Sequence, residues 1–146
     1  MALDTARVAT DTVDAHLSDH NTLHKKHNNT YDVVADYSAV GDGSTDDATA
    51  IQDAVDAAEA GGGGAVIFPS LKCRTTTAIT VDSDNVRLIG VGQATLDRTG
   101  TGNAVTVTGT DANNKVSGIQ IRGLTITGPS VEGTQVSGNG ISFDFA

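Results

Sequence analysis

Residues 85–108, NVRLIGVGQATLDRTGTGNAVTVT, contain three short stretches in which apolar and polar side chains alternate: NVRLIG (85–90), ATLD (94–97) and AVTVT (104–108). Val86 and Leu88, like Val105 and Val107, lie two residues apart, the period at which a strand returns to the same face, so each stretch buries one side. Further along, GIQIRG (118–123) resembles NVRLIG at an offset of 33 residues, counted from Val86 to Ile119, and GISFDF (140–145) resembles AVTVT at an offset of 36, counted from Val105 to Ile141. AITV (78–81) and LTITG (124–128) alternate in the same way. A recurrence in this range predicts a solenoid whose turns each cover the apolar face of a neighbour, with about two repeats visible. A β-sandwich with irregular loops would give a similar series of strands. Aromatic side chains make up only 3% of the chain, fewer than sandwiches usually carry.

Upstream, residues 31–69 read as strand, turn, helix, Gly-rich link and strand. Ala48, Ile51, Val55 and Ala58 recur at helical spacing and define one buried face. Gly61 to Gly64 then end the helix, because the left-handed residue past a last turn is most easily glycine. Before the helix stand Asp42, Asp46 and Asp47 in GDGSTDD. Ser44 or Thr45 is the expected N-cap, with Asp47 completing a capping box and both Asp46 and Asp47 placed against the unpaired amides of the first turn. Calcium binding is disfavoured, since the spacing lacks the alternating oxygen ligands and distal Glu of a calcium loop. AVIFP (65–69) forms the strand that follows.

Eighteen acidic against nine basic residues give a formal charge of -9 and a pI near 4.5, which excludes general nucleic-acid binding in the absence of a basic patch. Lys25 and Lys26 read as a solvated helix face. The single cysteine, Cys73, rules out an internal disulfide and a cysteine-based zinc site, and is expected to be a half-buried apolar residue. The chain has no long apolar run and no secretion-signal pattern, so a soluble protein is expected. Asp82 and Asp84 form a carboxylate pair in a turn, where Asp is common. Asp144 points outward by alternation and has no identifiable partner. GVGQAT (90–95) lacks the third glycine and the following helix of a dinucleotide loop, and Asn28 begins a glycosylation sequon.

Residues 1–30 carry all four histidines. His16, His20, His24 and His27 would share one helical stripe within roughly 80°, at about 100° per residue. Three such helices meeting along the stripe could bind a metal ion, bind an anion or titrate near neutral pH. Alternatively Val13, Leu17 and Leu23 form the packing seam and the histidines only edge it.

VVADYSAVGDGSTDDATAIQDAVDAA (33–58), then GGGGAVIFP (61–69) and DNVRLIGVGQATL (84–96), together resemble the opening of the pectate-lyase-like superfamily, in the branch of rhamnogalacturonase/epimerase-type proteins and bacteriophage tailspikes. The likeness spans about residues 31–128. It implies an all-β fold: a short right-handed parallel β-helix with an N-terminal capping α-helix, preceded by an N-terminal helical segment. Two domains are expected, an anchor or oligomerisation segment at 1–30 and the cap and first coils of the β-helix at 31–146. PSLKCR (69–74) departs from the family's usual continuation, which implies an edited first coil. Because GISFDFA is not followed by a capping element, the last coil is expected to need a cover.

The function expected is that of a phage-type tail spike or fibre, or another virion structural protein. It would attach to the tail through its N-terminus, assemble in the host cytoplasm and present the β-helix for assembly or host adsorption. Expected partners are two further copies in a homotrimer, other tail or baseplate proteins and a host surface glycan, with neither nucleic acid nor membrane insertion. The alternative is the N-terminal part of a polysaccharide-degrading enzyme, a lyase or hydrolase. No residue matches the family's catalytic acids, so no catalytic, cofactor-binding or metal residue is assigned, and no cofactor is implied.

Overall fold

The computed structural model describes residues 29–109, 115–128 and 141–144, the last four as backbone. The histidine stripe and the rest of the expected anchor, residues 1–28, lie outside the described residues. Among the described residues, eleven strands lie in three sheets and one helix packs beside them. Sheet A stacks β1 (Thr30–Asp32), β3 (Gly64–Phe68), β6 (Val86–Gly90) and β9 (Gln120–Arg122). Sheet B stacks β2 (Asp42–Asp46), β4 (Lys72–Thr75), β7 (Thr95–Arg98) and β10 (Thr125–Thr127). Sheet C stacks β5 (Ile79–Val81), β8 (Val105–Thr108) and β11 (Ile141–Asp144). In the first coil the place of a sheet C strand is taken by α1 (Ala48–Ala60).

Every pairing among the described strands is parallel. The chain visits sheets A, B and C in turn, then starts the next rung, which is the arrangement of a parallel β-helix. The recurrences seen in the sequence are real rungs. Leu88 pairs with Ile121 at an offset of 33, and Val105 with Ile141 at 36. The repeat count was too low, however: sheets A and B each hold four rungs. Lower in the stack the offset shrinks to 22 between Gly64 and Val86 and to 23 between Lys72 and Thr95, so no constant period marks those rungs.

Inward side chains form columns: Val66, Leu88 and Ile121 in sheet A, and Cys73, Leu96 and Ile126 in sheet B. The lower members of each column are completely buried or nearly so. Cys73 is thus fully buried, deeper than expected, and desolvation pushes its thiol up to about 11. The neighbouring inward column of sheet B is polar, with Thr75 and Arg98 buried and in register. Carbonyls hold the Arg98 guanidinium, with Nη2 donating to Thr101 at 2.8 Å and Nε to Asn103 at 3.1 Å.

The helix buries the expected face, Ala48, Ile51, Val55 and Ala58, together with Ala54. Its end is also as expected. Gly62, at φ 80°, turns the chain so that its N–H reaches the Glu59 carbonyl at 2.9 Å while Gly63 reaches Ala58 at 2.9 Å. Its start corrects the sequence reading. Ser44 and Thr45 belong to β2, and the N-cap residue is Asp47, whose own side chain makes no capping hydrogen bond; of the two expected carboxylates only Asp46 reaches a first-turn amide, that of Ala48. Pairing with β4 at Asp42–Lys72 and Asp46–Arg74 draws this Gly- and Asp-rich segment into the sheet, a tertiary effect that local propensity does not announce.

Two other side chains of α1 act as a substitute strand. Gln52 accepts from the Thr80 N–H at 2.9 Å and donates to the Thr80 carbonyl at 3.0 Å, and Glu59 accepts from the Asp82 N–H at 2.8 Å. Ile79 directs its N–H to Ala104 in the next coil, whereas Thr80 faces the helix. The edge of β5 that would otherwise be free is closed by side chains, which removes an aggregation-prone sheet edge.

Candidate functional site

Acid/base catalysis needs a carboxyl group that still holds its proton at working pH, facing a second group across the substrate. The acidic residues singled out in the sequence do other work. Asp42 folds back on its own turn, accepting from the Ser44 and Thr45 amides at 2.7 Å each, and these bonds lower its pKa. Asp46 ties the helix start to the second coil, accepting from the Ala48 N–H at 3.2 Å, the Thr76 N–H at 3.1 Å and the Thr76 hydroxyl. The hydroxyl bond is the largest cause of its lowered pKa. Asp47 is buried and fixes the preceding turn, accepting from the Val40 and Gly41 amides at 2.7 and 3.1 Å. The acidic cluster before the helix is therefore dismembered by the fold into three structural carboxylates.

Asp82 and Asp84 separate in the same way. Asp84 takes the Ser117 N–H of the next coil at 2.6 Å, while Asp82 accepts from the Ser83 hydroxyl at 3.2 Å. The side chain of Asp144 lies outside the described residues. Burial of Glu59 at the edge of β5 raises its pKa, with the charge of Asp82 adding to the effect.

Sequence reasoning did not find the outer face of sheet B. There Asp46, Arg74, Asp97 and Thr127 follow one another in register up four rungs. Lys72 reaches Asp97 at 2.7 Å, the Thr127 hydroxyl donates to the other Asp97 oxygen at 2.7 Å, and Arg74 donates to the Ser44 carbonyl at 2.8 Å. The bond from Lys72, followed by that from Thr127, lowers the Asp97 pKa. This ladder can accept hydrogen bonds and positive charge, but its acids are ionised and cannot serve as proton donors near neutral pH. Among the described residues no group of three His, Cys, Asp or Glu side chains is placed to hold a metal ion.

The outer face of sheet A is concave where the chain enters it from sheet C. Asn29, Asn85, Arg87 and Gln120, with glycine backbone between them, line an open groove of about 440 Å³.

Three parallel sheets wound as a solenoid, with a helix closing the first coil, define a parallel β-helix protein. The chain belongs to the rhamnogalacturonase A/epimerase, pectate lyase-like family, whose model matches residues 32–141. Two mannuronan C5-epimerases of Azotobacter vinelandii are 44% identical over 66 residues and 42% identical over 84, covering 40% and 52% of this chain but only 4% and 10% of their own lengths. Alginate lyase 7 of the same organism is 42% identical over 65 residues, covering 40% of this chain and 8% of its own. Among solved structures, the ORF18 protein of Geobacillus virus E2 superposes with a TM-score of 0.68 at 26% identity, covering 79% of this chain and 24% of that one. The chain thus spans a tenth or less of the curated relatives cited and about a quarter of the viral protein. Among the described residues no helix is long and apolar enough to cross a membrane.

Proposed function

We propose that the chain is the opening section of a right-handed β-helix in a phage-type tail spike or fibre, with residues 1–30 as the tail anchor and the outer faces presented to a surface polysaccharide. The observation that carries this reading is the superposition on the Geobacillus virus E2 protein across 79% of the chain. A homotrimer is the expected assembly. It is supported by Val40, Leu71 and Val91, the large apolar residues exposed among the described ones, at 54%, 37% and 54%. All three lie in turns from sheet A to sheet B, on successive coils, so they line one corner of the stack. Exposed apolar side chains gathered in this way mark an assembly surface.

The second reading is the N-terminal part of a glycan-modifying enzyme. It is favoured by the 42–44% identity to epimerases and a lyase. Light scattering after size-exclusion chromatography tests the first: three copies are expected, with Leu71→Asp and Val91→Asp together reducing the species to one. A wild-type monomer that converts mannuronan, seen as epimerised residues or unsaturated ends by NMR, would replace the viral reading with the enzymatic one.

A further inference from the structure

We infer that Asp47, Thr75 and Arg98 form one internal polar column, with a binding site for a single water molecule at its centre that links the carboxylate of the first coil to the guanidinium of the third. The column acts as a register lock inside the stack, whatever the outer faces bind.

Position is the first ground. Among the described residues the buried polar or charged ones are Asp47, Thr75 and Arg98, at 2%, 0% and 7% exposure. They fall on one line through the stack. Thr75 pairs in register with Arg98. Asp46 pairs with Arg74, so the residues that follow them, Asp47 and Thr75, are neighbours in turn, and the Asp47 N–H reaches the Arg74 carbonyl at 2.8 Å. The Asp47 carboxylate faces the same interior, since burial and then the Asp47 charge raise the thiol of Cys73, two residues before Thr75. A negative charge, a hydroxyl and a positive charge thus follow one another on three successive rungs, each about 4.8 Å above the last.

Hydrogen-bonding capacity is the second. Asp47 accepts from the Val40 and Gly41 amides, one on each oxygen, whereas a carboxylate offers about four lone pairs. A guanidinium carries about five N–H groups. In Arg98, Nε donates to Asn103, Nη1 to the Thr75 and Thr76 carbonyls and Nη2 to Thr101, which leaves one Nη2 hydrogen. Between acid and base, Thr75 Oγ1 is buried without a partner. A hydroxyl orphaned in a core is costly, and native interiors seldom contain one. One water can accept from Arg98, bond Thr75 Oγ1 and donate to Asp47, and three polar partners are what a buried water ordinarily has. Gly100 keeps the guanidinium on this line, because a Cβ there would lie 3.0 Å from Nη2 and closer still to Nη1.

Register is the consequence. A slip of one residue in any of these rungs would turn its member of the column outward and leave the other two buried without it. Buried polar groups that match in only one arrangement select that arrangement.

A high-resolution crystal structure of the full chain, together with urea denaturation of Thr75→Val, tests this. Wild type should show an ordered water within hydrogen-bond distance of Thr75 Oγ1, Asp47 and Arg98. Thr75→Val keeps the shape and removes the hydroxyl, so it should lower the folding equilibrium constant about tenfold, with circular dichroism unchanged. Thr75→Ser, which keeps the hydroxyl, should retain the water. Asp47→Asn and Arg98→Met should be coupled about fivefold in the wild-type background and uncoupled in Thr75→Val. A dry site in wild type, or a Thr75→Val protein as stable as wild type or more so, overturns the column. Coupling of equal size in both backgrounds overturns the bridge through Thr75. The structure and Thr75→Val decide the outcome even where Asp47→Asn or Arg98→Met fails to fold.

Discussion

The two ends of the described stack obey the same register and reach different degrees of burial. Leu88 lies between Val66 and Ile121 in one column and is 0% exposed, whereas Ile121, with a described neighbour only beneath it, is half-buried. Ile126 repeats this above Leu96. At the opposite end, α1 lays a fully buried Ile51 and Val55 against the first rungs. A solenoid rung has no core of its own, and acquires one from its neighbours.

The largest expected effect tests that difference. Leu88→Ala should cost about 2–5 kcal/mol, because a cavity opens between two rungs that cannot both collapse. Ile121→Ala should cost less than half as much, since water already reaches the site. Urea denaturation of the two variants measures the gap. Equal losses would show that the fourth coil is as well covered as the third, and the contrast between the ends would disappear.

A smaller effect concerns how closely coils three and four approach. A Cβ built on Gly90 would fall 2.2 Å from the Gly123 carbonyl oxygen, and that atom is backbone and cannot swing aside. Gly90→Ala should cost about 1–3 kcal/mol as overpacking. Amide exchange should accelerate from Gln120 to Thr127 and stay unchanged in the helix. Uniform acceleration would mean that the stack melts as one unit.

At the capped end, Gln52→Ala removes both bonds to the backbone of Thr80, a loss of about 1–2 kcal/mol. The Thr80 amide should lose its exchange protection more than any other in β5. Unchanged protection there would show that another group closes the edge.

How much of this was legible followed from where each signal resides. Val86 with Leu88, Val105 with Val107 and the face of α1 were readable because burial writes a period into adjacent residues. KCRT, which became β4, has only Cys73 as an apolar inward residue and places the polar Thr75 in the other inward position. DGSTD, which became β2, has turn composition and is a strand only because β4 lies beside it. Gln52 and Glu59 looked like ordinary helix surface, since the groups they satisfy are 28 and 23 residues away. Arg87 and Arg122 were in plain view as polar members of alternating strands. What sets them apart is that neither has an ion-pair partner among the described residues, and sequence does not display that.

The smallest effects are electrostatic and carry opposite signs at two places in the stack. Asp97 has a lowered folded pKa, so its bond to Lys72 stabilises above the ordinary value of 3.8 and is lost as pH falls through the lower folded value. Lys72 is 54% exposed, so screening limits the contribution to about 1 kcal/mol or less. Asp97→Asn should therefore lower the melting temperature at neutral pH and bring it towards wild type in acid. Glu59 has a raised folded pKa, so its contribution is fully present below the ordinary value of 4.5 and is lost as pH rises through the folded one. Glu59→Gln keeps an acceptor for the Asp82 N–H and no longer buries a charge, so it should match wild type in acid and exceed it slightly at neutral pH. Melting curves of the two variants against wild type across pH 3–8 should thus diverge in opposite directions as pH rises. Curves that run parallel would show that neither carboxylate is coupled to folding through its charge.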